Sequence, residues 1–376
     1  MPSQIIPCAD CAGATQRFAE RGFRVLGCAP HATQAQMCVI SFEPPALAAA
    51  EVFAAPAADG VVASTSALTP TQVRTAQAII NLFETGEVLG RYGQVTVMQG
   101  DPGRLTYGRS QTTLGSGNLA LLLTQYCQNH GARFGRRLQP HLGRFAAGDE
   151  ALDGDIKLHN LLRACADDPV MRETQDAFFD NRYWQPALRA ATKLGLRSAL
   201  AVSVVYDSHV HGSWTALRDK TNSNDGAVPA IGEKGWVAAY VRNRRAWLAD
   251  HKMAILHSTV YRMDAFQRLI ALGQWGLELP LVVRGTEISA ASLAAMPPEC
   301  YDGPPPGSRP LSLQQPLQRG LDVRLIQLAL SDSGADIRAD GVYGRGSVRC
   351  VKELQIARGL PVTGALDLAL IGELVR

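Results

Sequence analysis

Glu84 and Asp101 stand 17 positions apart in "NLFETGEVLGRYGQVTVMQGDPGRLTYGRSQTTLGSGNL", residues 81 to 119, which also holds Arg91, Arg104, Arg109 and many hydroxyl side chains. Two carboxyl groups in unlike surroundings can divide acid and base work. One, kept protonated beside apolar surface, donates to a leaving oxygen; the other, ionised and solvated, activates water or attacks. Glu84 fits the first description, because Val73, Gln77, Ile80, Phe83, Glu84 and Glu87 fall on one broad helical face beside the apolar stripe. Asp101 fits the second, lying in "QGDPGRLTYG", a Gly/Pro turn that leaves its carboxylate polar. A Glu near a helix end and an Asp before Pro-Gly are also ordinary parts of turns.

Other reactive side chains give less. His209 and His211 flank Val210 in "SHVHG" and would share a metal on a strand, but no third ligand is evident. They read rather as packing or substrate-edge histidines, and no metal or organic cofactor is expected. Of eight cysteines, Cys8, Cys11, Cys28 and Cys38 crowd the first forty residues. Cys8-Ala-Asp-Cys11 has the gap of half a zinc knuckle without its partner pair, so zinc, a redox or disulfide role, and plain buried thiols all stay open.

The elements that would position the carboxylates are well marked. Thr69 caps a helix, Pro70 takes its first position and Gln72 completes a capping box. "SGNLALLLTQYCQNHG" predicts another helix, with Ser116 as cap and Gly131 as terminator. Around these the 376 residues divide into five zones: a small Cys-bearing unit over 1–43, an Ala/Pro/Ser-rich linker over 44–68, a mostly helical domain over 69–285, a Pro-rich linker over 286–310, and a compact module over 311–376. In the first zone, "GFRVLGCAP" and "MCVISFEP" predict two strands around a helix, "CAGATQRFAERG".

Composition is that of a globular protein with a real core: 46% hydrophobic and 19% charged. A net charge of +3 and a pI near 8.4 suit a polyanionic partner and would repel a polycation. No run of 18 apolar residues occurs and no secretory leader is visible, so neither a membrane span nor a Sec route is expected.

The stretch around Glu84 and Asp101 resembles the family 46 glycoside hydrolases (chitosanases) of the lysozyme-like superfamily. The resemblance implies Glu84 as general acid, with Glu87 the competing choice, Asp101 as general base and Thr106, five residues on, as the holder of the attacking water. "VVYDSHVHG", "VRNRRAWL" and "YRMDAFQRLIALGQWGLELPL" resemble further family segments. These carry over to Asp207, Arg244 and Arg262 as a buried charge network behind the acid, with Asp264 and Arg268 in the same motif as Arg262. Pro102 replaces a family Gly, and "RSQTTLGSGNL" stands where chitosanases have a more apolar run.

"LDVRLIQLALSDSGADIRADGVYGRGSVRCVKELQIARGLPVTGALD" resembles the peptidoglycan-binding domain of cell-wall hydrolases. Val323, Leu325, Gln327 and Leu330 mark its first helix, and Asp340-Gly341 a turn needing positive φ. The fold class expected is mainly α: a lysozyme-like catalytic domain, a small α/β N-terminal unit and a C-terminal three-helix bundle. The expected activity is inverting cleavage of β-1,4 bonds in peptidoglycan strands (a muramidase), the module gripping the wall through a stiff linker. A chitosanase and a non-catalytic wall-binding delivery protein are the alternatives. Neither nucleic acid nor membrane is an expected partner. Synthesis in the cytoplasm without a leader implies export to the wall or periplasm by a phage holin, as for an endolysin, or by a contractile secretion machine with an immunity protein, as for an antibacterial effector.

Overall fold

The computed structural model describes residues 3–7, 24–30, 37–43 and 68–375 except residue 99; side chains of residues 3–43 and of residue 255 are outside the description. The chain forms two compact units, 1–64 and 65–376. The first contains three antiparallel strands, β1 (Ser3–Pro7), β2 (Arg24–Pro30) and β3 (Met37–Glu43), in the order β1-β3-β2. The sequence pattern missed β1, whose five residues include a proline. The helix expected over residues 11–22 lies outside the described residues, as do Cys8, Cys11 and the thiols of Cys28 and Cys38.

The second unit is mainly helical. Helix α1 (Pro70–Thr85) has the capping box expected: Thr69 Oγ1 accepts from Gln72 N, and the Gln72 side chain accepts from Thr69 N. It ends at Gly86, whose φ of +75° is a left-handed conformation that glycine adopts without strain. A small sheet follows, β4 (Val95–Thr96), β5 (Thr106–Tyr107) and β6 (Thr112–Thr113), with β5 in the middle. Helix α2 (Asn118–Gln128) starts one residue later than Ser116 as cap would have placed it: Gly117 is the N-cap, and Ser116 accepts from Thr113 Oγ1 in the preceding turn. Gly131 is not its terminator either: the helix ends at Asn129.

Two apolar cores make two lobes. One gathers Leu119, Leu122, Tyr126, Leu158 and Leu162 from α2 and α3 (Ile156–Cys165). The other packs Ile79, Ile80 and Phe83 of α1 against α6 (Ala199–His211), α8 (Val228–Ala249) and α9 (Tyr261–Ala271). A bent rod joins them: α4 (Pro169–Phe179), a π-helical turn over Asp180–Trp184, and α5 (Gln185–Leu194). Met171 at its start lies in the first core, Trp184 and Ala187 in the second. Helix α6 is buried from Ala199 through Ser208, as expected of a helix apolar on every side. Helix α7 (Trp214–Asn224) packs beside it.

The segment expected to be a free linker over 286–310 is folded and docked. It holds strand β8 (Thr286–Ile288), paired with β7 (Leu281–Val283), and helix α10 (Ala290–Ala294). Tyr301 N donates to Asp167 Oδ1 at 2.9 Å, and Leu321 N donates to Gly303 O at 3.1 Å. Proline content alone does not separate a docked strap from an extended tether.

Beyond it, α11 (Leu321–Asp332), α12 (Arg345–Ala357) and α13 (Leu368–Leu374) form the C-terminal bundle. Helix α11 has two apolar faces. Val323, Ile326 and Leu330 fill the bundle's own core, whereas Leu328 is buried in the first lobe's core and Leu325 packs on it. Asn160 of α3 reaches across: its Nδ2 donates to Ser331 Oγ (2.9 Å) and Ile337 O (2.7 Å), and its Oδ1 accepts from Ala339 N (2.9 Å). Asp167 and Arg324, both at most 1% exposed, pair at 3.1 Å. The module thus packs directly on the first lobe, in place of the expected tether.

Candidate active site

Glu84 sits in the last turn of α1, and its side chain is 45% exposed. The apolar surroundings expected for it are absent. The side chain leaves the buried stripe and its Oε1 accepts from Arg262 Nη2 at 2.8 Å, with Oε2 free of any partner among the described residues. Arg262 itself, on α9, is 2% exposed and lies over the Phe83 ring at 5.1 Å. Its Nε donates to Asp207 Oδ1 at 2.9 Å. Burial opposes the Arg262 charge, yet the carboxylates of Asp207 and Glu84 more than offset it and hold its pKa above the ordinary value.

Asp207 on α6 and Arg244 on α8 are fully buried and 3.5 Å apart. Arg244 also donates to Ser208 Oγ, a hydroxyl that accepts from Tyr240 and donates to Val204 O, and its Nη2 donates to His211 Nδ1 at 3.2 Å. Four helices thus supply one alternating chain of charges: Glu84, Arg262, Asp207, Arg244. The structure brings together every residue that the sequence placed in this network. Asp264 and Arg268, from the same motif, instead face outward, Asp264 pairing with Arg245 on the surface. Glu87 is past the helix end and pairs with Arg91 at 2.8 Å, outside the buried chain.

Asp101 is exposed in the turn between β4 and β5. Gly100 before it has φ +79°, and Asp101 Oδ1 accepts from Gly103 N at 2.8 Å, which closes the turn and leaves Oδ2 unengaged. The turn is anchored from behind. Arg104 pairs with Asp153 at 3.0 Å and donates to Gly148 O at 2.8 Å, and Leu105 N donates to Asp153 Oδ1. A Cβ on Gly115 would lie 2.0 Å from Pro102 O, so the β6 side approaches this turn as closely as backbone allows. Thr106, buried on β5, spends its hydroxyl proton on Arg104 O at 3.0 Å, so the oxygen can only accept from anything further.

His209 and His211 occupy a helix and not a strand, so two positions apart puts them on different faces. His209 packs against Trp214 with the rings tilted by 32°, and burial followed by the nearby Arg189 pushes its pKa down to about 4. Among the described residues no group of three or more His, Cys, Asp or Glu could hold a metal ion, and no helix is long and apolar enough to cross a membrane. Two polar clusters escaped sequence reading. Arg109 pairs with Asp176, which also accepts from Tyr92 Oη at 2.7 Å, and Gln77 donates to Asp180 Oδ1 at 2.8 Å. Burial raises the Asp180 carboxyl to about 6. Their partners are about 70 to 100 residues apart in sequence, and no local signal announces them.

Comparison with known proteins agrees with this architecture. The family model for glycosyl hydrolase family 46 matches residues 78–281, and that for a peptidoglycan binding domain matches residues 319–374. A curated chitosanase of Bacillus subtilis (strain 168) is 29% identical over 231 residues, covering 57% of this chain and 83% of its own. The crystal structure of a mutant chitosanase from Bacillus subtilis MY002 complexed with 6 GlcN is 27% identical, with a TM-score of 0.49, covering 58% of this chain and 96% of that one. The complex of a Gynuella sunshinyii chitosanase with chitotetraose is 24% identical, with a TM-score of 0.49, covering 60% and 99%. With more than half its length matched by the family model, this two-lobed, lysozyme-like helical chain belongs to glycosyl hydrolase family 46 and carries a peptidoglycan-binding domain after its hydrolase domain.

Proposed function

We propose that the chain hydrolyses β-1,4 bonds between amino sugars by inversion, with Glu84 as general acid and Asp101 as general base. The observation that carries this reading is the ion pair from Arg262 to Glu84, which ties an exposed carboxylate to a fully buried charge chain. A side chain held so firmly at the surface of a helix end has no packing purpose. Glu84 Oε2, free of partners, carries the proton to the leaving glycosidic oxygen while Arg262 fixes Oε1. Thr106 Oγ1 accepts one hydrogen of a water, and Asp101 Oδ2 takes the other as the water attacks. Inverting enzymes separate the two carboxyl groups by about 6.5–9.5 Å to admit that water. No metal or organic cofactor enters these steps.

The bond proposed first is the one between glucosamine units, since the relatives are chitosanases and one is solved with 6 GlcN. A second reading, cleavage of peptidoglycan strands at the cell wall, is favoured by the docked peptidoglycan-binding domain and the net charge of +3. Parallel digestion of soluble chitosan and purified sacculi, with mass spectrometry of the released reducing ends, separates them. New glucosamine ends from chitosan with intact sacculi support the first reading; new muramic acid ends from sacculi with unchanged chitosan support the second. Products from neither would leave a wall-binding protein with an idle hydrolase fold.

A further inference from the structure

His211 has a bonding pattern that the reaction described above does not use. Arginine nitrogens only donate, so the 3.2 Å contact from Arg244 Nη2 makes His211 Nδ1 the unprotonated nitrogen and puts the ring proton on Nε2. Arg244 is fully buried; its Nε has no partner among the described residues, its Nη1 serves Ser208 and Asp207, and its Nη2 bonds His211. His211 is therefore the acceptor that fixes the far fork of this guanidinium. Remove it and a buried N–H is left without an acceptor, on the residue that balances Asp207 from the side opposite Arg262.

We propose that His211 is a positioning residue for catalysis: its neutral ring fixes Arg244 against Asp207, which sets Arg262 and, through it, the Glu84 carboxyl. This rests on Glu84 being the acid. The charges that act on the ring are Arg262 from α9, Arg244 from α8, which bonds it directly, and Asp207 from its own helix. Burial first, then Arg262, pushes its pKa down to about 4, with Arg244 adding to this and Asp207 opposing it. The ring thus stays neutral at neutral pH, and a second ring proton would point an N–H at a guanidinium. His211 lies four positions after Asp207, about one helical turn, so the two share a helix face, and Arg244 contacts both. His209, on another face of that helix and packed against Trp214, is an internal control.

The test compares full-length His211→Phe, His211→Gln, His209→Gln and Glu84→Gln with wild type on chitosan oligosaccharides, or on solubilised peptidoglycan strands if those are what the wild type cleaves. Phe keeps the volume and removes the acceptor, and Gln restores an oxygen for Arg244. His211→Phe is expected to lower kcat by about 10- to 100-fold at nearly constant KM, the range for losing a hydrogen bond to a charged group. His211→Gln is expected to recover most of that loss, with His209→Gln close to wild type. Nitrogen-15 NMR of the ring at neutral pH is expected to show the proton on Nε2. An unchanged kcat in His211→Phe, a rise in KM alone, a Gln variant as impaired as Phe, or a proton on Nδ1 would each overturn the proposal. If Glu84→Gln keeps full activity, the acid assignment fails instead. Should the Phe variant not fold, the Gln variant and the NMR spectrum decide.

Discussion

Replacing Arg262 by alanine probes the charge chain at its most connected point. Arg262 is 2% exposed and serves two carboxylates at once, Asp207 at 2.7 Å and Glu84 at 2.8 Å. Glu84 is 45% exposed and finds water when the guanidinium is gone, so little of the cost arises there. Asp207 is fully buried and keeps only Arg244, at 3.5 Å. Breaking a buried pair by removing one partner costs about 3–5 kcal/mol, and the surviving Arg244 contact puts this case near the lower end, about 3 kcal/mol. At roughly 2–4 °C per kcal/mol, the melting temperature falls by about 6–12 °C. Scanning calorimetry or thermal circular dichroism of wild type, Arg262→Ala and Arg262→Lys reads it, with Lys recovering part of the loss. A melt of Arg262→Ala within about 2 °C of wild type would contradict this cost, because a fully buried carboxylate left with one 3.5 Å ion pair cannot be neutral to stability.

Further outcomes follow from the same geometry. Glu84→Gln lowers turnover by about two to four orders of magnitude with folding intact, while Glu87→Gln, which breaks only the exposed pair with Arg91, stays near wild type in a reducing-end assay. Arg324→Ala leaves Asp167 without its ion-pair partner at the junction of lobe and module and costs about 3 kcal/mol in a chemical melt; an unchanged midpoint would mean the two bodies are independent. His209 and His211 both have folded pKa values near 4 against an ordinary 6.5, so the unfolded chain binds the extra protons between those values. Their contribution to stability is complete above pH 6.5 and is lost as pH falls towards 4, and His209→Phe flattens that decline in Tm measured against pH.

Some local signals in the sequence held and others did not: the cap expected at Ser116 and the terminator expected at Gly131 are replaced by Gly117 and Asn129. Thr69, Pro70 and Gln72 form their cap from neighbouring residues, and Gly341 has the positive φ, +76°, that its turn requires. The arrangement of Asp207, Arg244 and Arg262 was legible only through resemblance, because their ion pairs span 37 and 55 positions. What composition hid was long-range in the same sense. Tyr301 and Arg324 both depend on Asp167, more than 130 positions earlier, and nothing in a proline-rich stretch says which of its backbone groups will dock. Glu84 lies beside an apolar stripe on a helical wheel, yet its side chain points to Arg262, a residue 178 positions away. The metal reading of the two histidines presupposed a strand, whereas the apolar run around them builds the buried helix α6; the packing reading, the one preferred, fits His209 against Trp214.

The anomer first released tests the paired-carboxylate account most directly. Proton NMR of the fresh reducing ends, recorded before mutarotation, on whichever β-1,4-linked amino-sugar chain the protein cleaves, reports the stereochemistry of a single turnover. A water held between Thr106 and Asp101, opposite Glu84, predicts the α-anomer first, with no signal from Glu84→Gln on the same timescale. The β-anomer first would contradict it, since retention needs a carboxylate close enough to attack the sugar itself.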